Sequence, residues 1–240
     1  MKSQAAVFWG QGRPFEVAEI DLEEPGPGEV LVRMAAVGIC GTDLHVIKGE
    51  WDRPKPMVLG HEGAGIVEAA GEGVEGVGPG DSVVLSWAPS CGECSDCRRG
   101  RPAACMALQR AIGGGTLLDG RTGLSLDGET VYRGTTTGAW AERVVVGEQV
   151  ALPLGEGIPL EEAALLGCAA LTGVGAADPD RGHADEDLAG TGLVQVDLRD
   201  LERPPLSPED GRSRFHAFAV TPSASSTAAQ SVTVDTFCSA

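Results

Sequence analysis

The segment CGECSDCRRGRPAAC, residues 91–105, is the strongest structural signal in this sequence, because it contains four of the seven cysteines. Cys91, Cys94 and Cys97 are separated by two residues each, and Cys105 follows after seven more. Such short gaps let consecutive thiolates converge on one ion, and four thiolates suit tetrahedral Zn²⁺. A four-cysteine site has no open position, so this site is predicted to hold a lobe together and to do no chemistry.

Two other interpretations of this segment stay open. An iron–sulfur cluster is the main rival, but the bacterial ferredoxin pattern has three residues before its last cysteine and a proline after it. Here seven residues precede Cys105, and Met106 follows it. Four unconnected buried thiols are the second alternative, which the density of cysteines disfavours.

The sequence around this segment predicts short β-strands separated by turns. Apolar or alternating runs occur between Gly/Pro-rich turns such as Pro25-Gly26-Pro27-Gly28, and this spacing is typical of a compact all-β barrel or sandwich. The glycine- and threonine-rich stretch 113–138 is predicted to be a long loop. The predicted strands are Ala5–Trp9, Phe15–Ile20, Val30–Val37, Gly65–Ala69, Ser82–Leu85 and Ala141–Val146.

Two further regions follow this β domain, which we assign to residues 1–155. Residues 156–177 are predicted to form a buried connecting helix, because Pro159 suits a helix start, Glu161 and Glu162 suit its first turn, and a small apolar run follows. Residues 178–240 form an acidic tail that ends in serine, threonine and alanine, and we predict that it is largely disordered.

The composition limits the classes of partner. The 240 residues are 42% hydrophobic, and 35 acidic against 18 basic side chains give a net charge of −17. An acidic chain repels phosphate backbones and anionic lipids, so neither nucleic acid nor a membrane surface is an expected partner. No apolar run is long enough for a membrane span, and the start lacks a signal core, so a cytoplasmic location is expected.

Cys40, His61 and Cys168 are far apart in sequence, and singly each could be an ordinary buried residue. Their surroundings change this interpretation. Gly38-Ile39-Cys40-Gly41-Thr42-Asp43-Leu44-His45 and Gly60-His61-Glu62-Gly63-Ala64-Gly65 resemble two signatures of the zinc-dependent medium-chain alcohol dehydrogenases. The four-cysteine segment resembles the structural zinc lobe of that family, and Leu166-Gly167-Cys168 resembles the segment with its last catalytic ligand. The resemblance covers roughly residues 5–177.

This resemblance implies a mostly β fold, a GroES-like barrel with a structural zinc lobe, followed by a helix. It implies two zinc ions per chain, a structural one at the four cysteines and a catalytic one at Cys40, His61 and Cys168, with Glu62 near the latter. The expected reaction oxidises a small-molecule alcohol to an aldehyde or ketone and transfers the hydride to NAD or NADP. The long stretch between Cys105 and Trp140 resembles the longer, class III-like forms, which oxidise primary alcohols and thiol adducts of formaldehyde.

The resemblance also assigns supporting roles. Thr42 and His45 match the relay that carries the substrate proton to solvent, and Asp43 matches the residue that orients the zinc-binding histidine. Thr172 matches a residue near the nicotinamide ring. Trp51 and Trp87 match positions that line the substrate pocket. The simpler alternatives are a surface histidine at His45, caps or surface carboxylates at Asp43 and Glu62, and barrel core at the two tryptophans.

The chain departs from the family after Ala177. The family continues with a Rossmann domain that opens on G-x-G-x-x-G, whereas Gly190-Thr191-Gly192 is followed by no further glycine until Gly211. We therefore expect a chain truncated before the Rossmann domain, without a recognisable NAD(P) site and without the family dimer made through that domain. Two hypotheses follow, an alcohol dehydrogenase-type oxidoreductase and a non-catalytic zinc-binding GroES-like module.

Overall fold

The computed structural model describes residues 1–176 and two short parallel strands, Gly192–Leu193 and His216–Ala217. The rest of the predicted tail, residues 178–240, and its predicted disorder lie outside the described residues. Within the part that is described, no helix combines the length and the apolar character needed to cross a membrane.

Short strands dominate residues 1–176 and form two sheets. The order is β8-β7-β2-β1-β4-β9 in the six-stranded sheet and β10-β3-β5-β6-β11 in the five-stranded sheet. The strands are β1 (Lys2–Phe8), β2 (Glu16–Leu22), β3 (Glu29–Val37), β4 (Met57–Val58), β5 (Gly63–Ala70), β6 (Ser82–Leu85), β7 (Leu124–Leu126), β8 (Glu129–Thr130), β9 (Tyr132–Arg133), β10 (Arg143–Gly147) and β11 (Ala151–Pro153).

One core lies between the two sheets. Val7 on β1, Val32 on β3 and Val146 on β10 are fully buried in it, and a bridge between Ala5 and Ala141 links the sheets. Burial of β-branched side chains from both sheets removes apolar surface from water and is the main stabilising contribution here. The predicted mostly β fold is confirmed, and all six predicted strands correspond to observed strands to within a few residues.

The predicted loop at 113–138 is wrong in part, because it contains β7, β8 and β9. The side chain of Arg133 explains why this segment forms regular strands. Its guanidinium is buried and donates hydrogen bonds to the carbonyl oxygens of Thr122, Thr137 and Val145, which ties the segment to β10. Burial lowers the pKa of Arg133 to about 10, so the side chain keeps its charge at neutral pH.

The helices are short: α1 (Gly41–Ile47), α2 (Ser95–Arg98), α3 (Met106–Gly114), α4 (Leu160–Ala163) and α5 (Ala169–Ala176). The single buried helix predicted within 156–177 is therefore two helices, α4 and α5, with a turn between them. A Cβ on Gly167 would lie 2.0 Å from the carbonyl oxygen of Leu85. The backbone of the turn therefore approaches the end of β6 too closely for any residue with a side chain. Leu166 and Leu171 are exposed, so this region is buried only in part.

Candidate metal centres and active-site cavity

Asp43 ties together the two loops that carry Cys40 and His61. Cys40 is the N-terminal cap of α1, with an extended backbone, and its N–H donates to Oδ2 of Asp43 at 3.0 Å. The other carboxylate oxygen, Oδ1, accepts the N–H of Gly60 at 3.1 Å. Asp43 is completely buried, and these two bonds satisfy its carboxylate while they fix the distance between the loops.

His61 lies between β4 and β5 at a turn that requires glycine. Gly60 has φ +89°, and a Cβ there would lie 2.2 Å from Cδ1 of Trp140. The indole of Trp140 in turn donates to the carbonyl oxygen of Gly38 at 3.2 Å, next to the loop that carries Cys40. The glycine of the GHE motif is thus a steric requirement for bringing His61 to Cys40.

Two other glycines allow Glu62 and Cys168 to lie next to Cys40 and His61. A Cβ on Gly38 would lie 2.3 Å from Oε2 of Glu62, so the absence of a side chain makes room for the carboxylate. The close approach of Gly167 to β6 brings Cys168, at the turn before α5, to the cluster. Cys40, His61, Glu62 and Cys168 each offer a ligand atom within 4.8 Å of the others.

The donor atoms of this cluster fit a zinc ion. Cys40 Sγ and Cys168 Sγ are 3.8 Å apart. Tetrahedral zinc with Zn–S bonds of about 2.3 Å places two sulfurs roughly 3.8 Å apart. Nδ1 of His61 is buried without a hydrogen-bond partner and lies 3.5 Å from Oδ1 of Asp43. A proton on Nδ1 leaves the other ring nitrogen as a neutral imidazole donor of the kind that zinc binds.

The electrostatics of the cluster favour a thiolate. The hydrogen bond from Cys168 lowers the pKa of Cys40 to about 4, against the opposing effect of burial and with help from His61. Burial alone would lower the pKa of His61, but Asp43 and Cys40 raise it to about 10. Burial, reinforced by the negative charge of Cys40, raises the pKa of Glu62 to about 7. The hydrogen bond to Cys40, together with burial, raises the pKa of Cys168, so without a cation the cluster holds one thiolate, and a bound cation would displace the remaining protons.

The cluster lies in the wall of a cavity of about 620 Å³, a size suited to a small organic molecule. Every residue that the sequence assigned to the catalytic centre, the proton relay, the substrate pocket or the nicotinamide contact lines this one cavity. These residues are Cys40, Thr42, Asp43, His45, Trp51, His61, Glu62, Trp87, Cys168 and Thr172.

His45 lies at the open side of the cavity, with about half of its side chain exposed. Its Nδ1 contacts Glu50, and its ring stacks on Trp51 with centroids 4.7 Å apart. Thr42 lines the cavity one helical turn before His45, and no direct hydrogen bond joins their side chains in the described structure. The predicted relay therefore has its components near each other without an observed link.

The four-cysteine segment forms a separate centre. Cys91, Cys94, Cys97 and Cys105 bring their sulfurs within 4.8 Å of one another, with Cys94–Cys97 and Cys91–Cys105 sulfur distances of 3.5 Å. Cys94 caps α2 and Cys105 caps α3, so helix starts present two of the sulfurs. Gly92 has φ +72° with no atom near its missing Cβ, so it supplies a left-handed turn.

Backbone N–H groups stabilise thiolates in this second centre. The amides of Cys91 and Cys94 donate to Cys105 Sγ and Cys91 Sγ, each at 3.4 Å. Backbone hydrogen bonds lower the pKa of Cys94 to about 6 and also lower the pKa of Cys105. The sulfur spacing and these donors fit one tetrahedral metal ion with no open position.

The cavity residues to which the sequence analysis gave no role include three with long polar side chains, Arg53, Gln109 and Arg133. Arg53 and Gln109 come from loops and helices that only the fold brings to the cavity, and no motif marks them. Glu50, the partner of His45, was missed for the same reason.

Residues 26–156 match the family model of the alcohol dehydrogenase GroES-like domain, which is more than half of the chain. The chain belongs to this alcohol dehydrogenase family. The family that the sequence motifs indicated is thereby confirmed, together with the GroES-like fold.

The chain is similar to curated relatives from bacteria. It is 39% identical over 202 residues to an S-(hydroxymethyl)glutathione dehydrogenase of Escherichia coli strain SMS-3-5, covering 82% of this chain and 54% of the relative. It is 41% identical over 179 residues to the enzyme of that name from Escherichia coli O1:K1, covering 73% of this chain and 48% of the relative. The chain thus spans about half the length of the curated relatives it matches.

The chain is also similar to solved structures of alcohol dehydrogenases, and again it covers about half of each. An alcohol dehydrogenase zinc-binding domain protein from Burkholderia ambifaria has a TM-score of 0.68 at 35% identity, covering 82% of this chain and 52% of that one. Benzyl alcohol dehydrogenase from Acinetobacter calcoaceticus has a TM-score of 0.67 at 32% identity, covering 82% and 51%.

Proposed function

We propose that this chain carries the catalytic domain of a zinc-dependent alcohol dehydrogenase-type oxidoreductase, which oxidises a small-molecule alcohol to an aldehyde or ketone with NAD or NADP as acceptor. The observation that supports this most is the convergence of Cys40, His61 and Cys168 in one cavity wall, with Glu62 beside them. Two thiolates and one imidazole form the donor set of a catalytic zinc with an open fourth position.

A zinc ion held by Cys40, His61 and Cys168 would supply the Lewis acidity that lowers the pKa of an alcohol hydroxyl. In this proposal Thr42 accepts the substrate proton as it releases the proton of its own hydroxyl, and His45, beside Glu50 at the open side of the cavity, passes a proton to solvent. Asp43, whose Oδ1 lies 3.5 Å from Nδ1 of His61, favours a proton on that nitrogen and so leaves the other ring nitrogen available as a ligand. Trp51 and Trp87 give the substrate apolar surface, which favours a fairly bulky or aromatic alcohol.

The second proposed zinc ion, at Cys91, Cys94, Cys97 and Cys105, has a structural role. Its four ligands leave no position for a substrate. We expect it to hold α2 and the start of α3 together.

The described residues support the binding of NAD or NADP less strongly than they support the two zinc centres. Thr172 lines the cavity on α5, where it can face a nicotinamide ring. Residues 1–176 contain no strand–glycine–helix unit of the kind that binds a dinucleotide. We infer from the relatives' greater length that a separate domain supplies that unit in the complete enzymes.

A non-catalytic zinc-binding module is the second candidate. No G-x-G-x-x-G fingerprint follows residue 177, and the only match, at residues 71–76, lies between β5 and β6 and opens no helix, which favours this candidate. Under this hypothesis the chain binds two zinc ions but neither binds NAD(P) nor oxidises an alcohol.

We further propose the division of the chain into a GroES-like domain at 1–155, a connecting region at 156–177 and a tail at 178–240.

Metal analysis of the purified chain and two variants tests the two-zinc proposal. We expect two zinc ions per chain in the wild type and one each in Cys40→Ser and Cys97→Ser, because each change removes a ligand from one centre. One zinc in the wild type, unchanged by Cys40→Ser, would contradict a catalytic centre.

Titration of the zinc-loaded chain with NADH and NADPH, followed by an alcohol panel with NAD⁺ and NADP⁺, separates the two candidates. The panel includes benzyl alcohol and S-(hydroxymethyl)glutathione, which the names of relatives suggest as substrates. Saturable binding and turnover above the blank favour the oxidoreductase. Retained zinc without nicotinamide binding favours the non-catalytic module.

A further inference from the structure

Arg53 is a cation inside a cavity whose other charged groups already have partners. The carboxylate of Asp43 binds two backbone amides, and His45 contacts Glu50. The guanidinium of Arg133 donates to backbone carbonyls of the barrel, and Glu62 belongs to the metal cluster. Like Arg133 and Glu62, Arg53 forms no ion pair within the described residues, but its only hydrogen bond there goes to the backbone carbonyl oxygen of Asp52.

The neighbours of Arg53 leave its charge available. Asp52, the adjacent acid, pairs with Lys55 through a 3.2 Å contact and so does not neutralise Arg53. One guanidinium nitrogen of Arg53 donates to the carbonyl oxygen of Asp52 at 3.0 Å. Arginine carries five N–H donors, so most of them have no partner among the described residues and could bind a ligand.

The position of the guanidinium suits a substrate that is both aromatic and anionic. The central carbon of the guanidinium lies 5.7 Å from the ring centroid of Trp51, and both residues line the cavity with Trp87. Arg53 is half-buried there, so an ion pair with it is less screened than one on the open surface. Its planar fork matches the two oxygens of a carboxylate.

We infer that Arg53 binds a carboxylate carried by the alcohol substrate, so that the cavity prefers alcohols with an anionic group over their neutral counterparts. This inference rests on the proposed function, because it assumes that the hydroxyl of the same molecule binds at the zinc centre.

Isothermal titration calorimetry on the zinc-loaded full chain tests this inference with a matched pair of ligands. 4-(Hydroxymethyl)benzoate and 4-(hydroxymethyl)benzamide share their ring and hydroxyl and differ in charge. We expect the carboxylate to bind about tenfold more tightly, which corresponds to about 1.4 kcal/mol. Arg53→Gln should abolish the difference while the affinity for the amide is unchanged, and Arg53→Lys should keep part of it.

Arg13→Gln is the matched control variant. Arg13 also lies over a tryptophan ring, 5.4 Å from the centroid of Trp9, but it is outside the cavity. This variant should retain the full preference. A preference that survives Arg53→Gln would mean that the carboxylate binds elsewhere, for example at the metal, and would overturn the inference.

Two further arms separate the possible failures. Zinc-dependent binding of both ligands with equal affinity overturns the role of Arg53 and leaves the proposed function intact. Binding of neither ligand, or equal binding with and without zinc, overturns both. Inorganic pyrophosphate that displaces the carboxylate ligand from the wild type but binds Arg53→Gln poorly would assign Arg53 to a cofactor phosphate, and would also overturn the substrate assignment.

Discussion

The two candidate metal centres of this chain are assembled in different ways. The four-cysteine centre takes all its ligands from residues 91–105, where two helix starts and two left-handed glycines position them. The cavity cluster takes ligands from Cys40, His61 and Cys168, which belong to three separate parts of the fold. The first centre is therefore a local property of the chain, and the second exists only when the two sheets and α4–α5 are in place.

This difference predicts which substitutions damage each centre. Local centres depend on the ligands and their turns, whereas the cavity cluster also depends on contacts far from any ligand. Glycines 38, 60 and 167 are such contacts, because each allows a close approach that a side chain would prevent.

Gly60→Ala should have the largest effect. The new Cβ would clash with Trp140 at a residue with φ +89°, so we expect a loss of about 3 kcal/mol in the free energy of unfolding. The cavity zinc should be lost and the four-cysteine zinc retained. Urea unfolding and zinc analysis measure the two effects.

Gly92→Ala is the control for that change, because Gly92 has φ +72° but open space around the missing Cβ. It should cost only about 1 kcal/mol and leave the cavity zinc in place. Equal effects of the two substitutions would contradict the steric role of Gly60.

Asp43→Asn should weaken the cavity centre without unfolding the protein. The amide keeps the shape of Asp43 but loses the charge that faces His61 and one of the acceptors for Gly60 and Cys40. We expect about 10–100-fold weaker zinc binding at the cavity, measured by competition with a chelator. Asp96→Asn, next to Arg101 in the four-cysteine lobe, is the control and should leave the cavity affinity unchanged. Unaltered affinity in Asp43→Asn would contradict the positioning role of Asp43.

Leu171→Ser should have the smallest effect, and it concerns only association. Leu171 is 69% exposed on α5, close to exposed Leu166, so the region that supplies Cys168 presents apolar surface to solvent. We expect less self-association in light scattering with no change in either zinc content. A defined dimer that the substitution does not alter would contradict the expectation that this surface promotes aggregation and that the family dimer does not form.

The same division between local and distant contacts explains what the sequence predicts. The spacing of Cys91, Cys94, Cys97 and Cys105 is sufficient to predict a centre, because the ligands are neighbours in the chain. The spacing of Cys40, His61 and Cys168 predicts nothing, and only the surrounding motifs and their family resemblance brought them together. The strands were predictable from alternation and turns.

Other features were not predictable because they depend on tertiary contacts. The regular structure within residues 113–138 depends on the buried guanidinium of Arg133. This group donates to the carbonyl oxygens of Thr122 and Thr137 within the segment and to that of Val145 on β10. The break between α4 and α5 depends on the contact of Gly167 with Leu85. Arg53 lines the cavity because of the course of its loop, which no sequence pattern predicts.

The most direct test of this account follows zinc release during urea unfolding. A colorimetric zinc indicator reports the metal, and tryptophan fluorescence reports the barrel, in which Trp140 is buried. We predict that one zinc ion is released in the same transition as the fluorescence change, because its ligands depend on the fold. The other zinc ion should remain bound to higher urea, because four neighbouring thiolates can hold it without the barrel. Release of both ions in a single transition, or earlier release from the four-cysteine centre, would contradict the distinction between a local centre and one assembled by the fold.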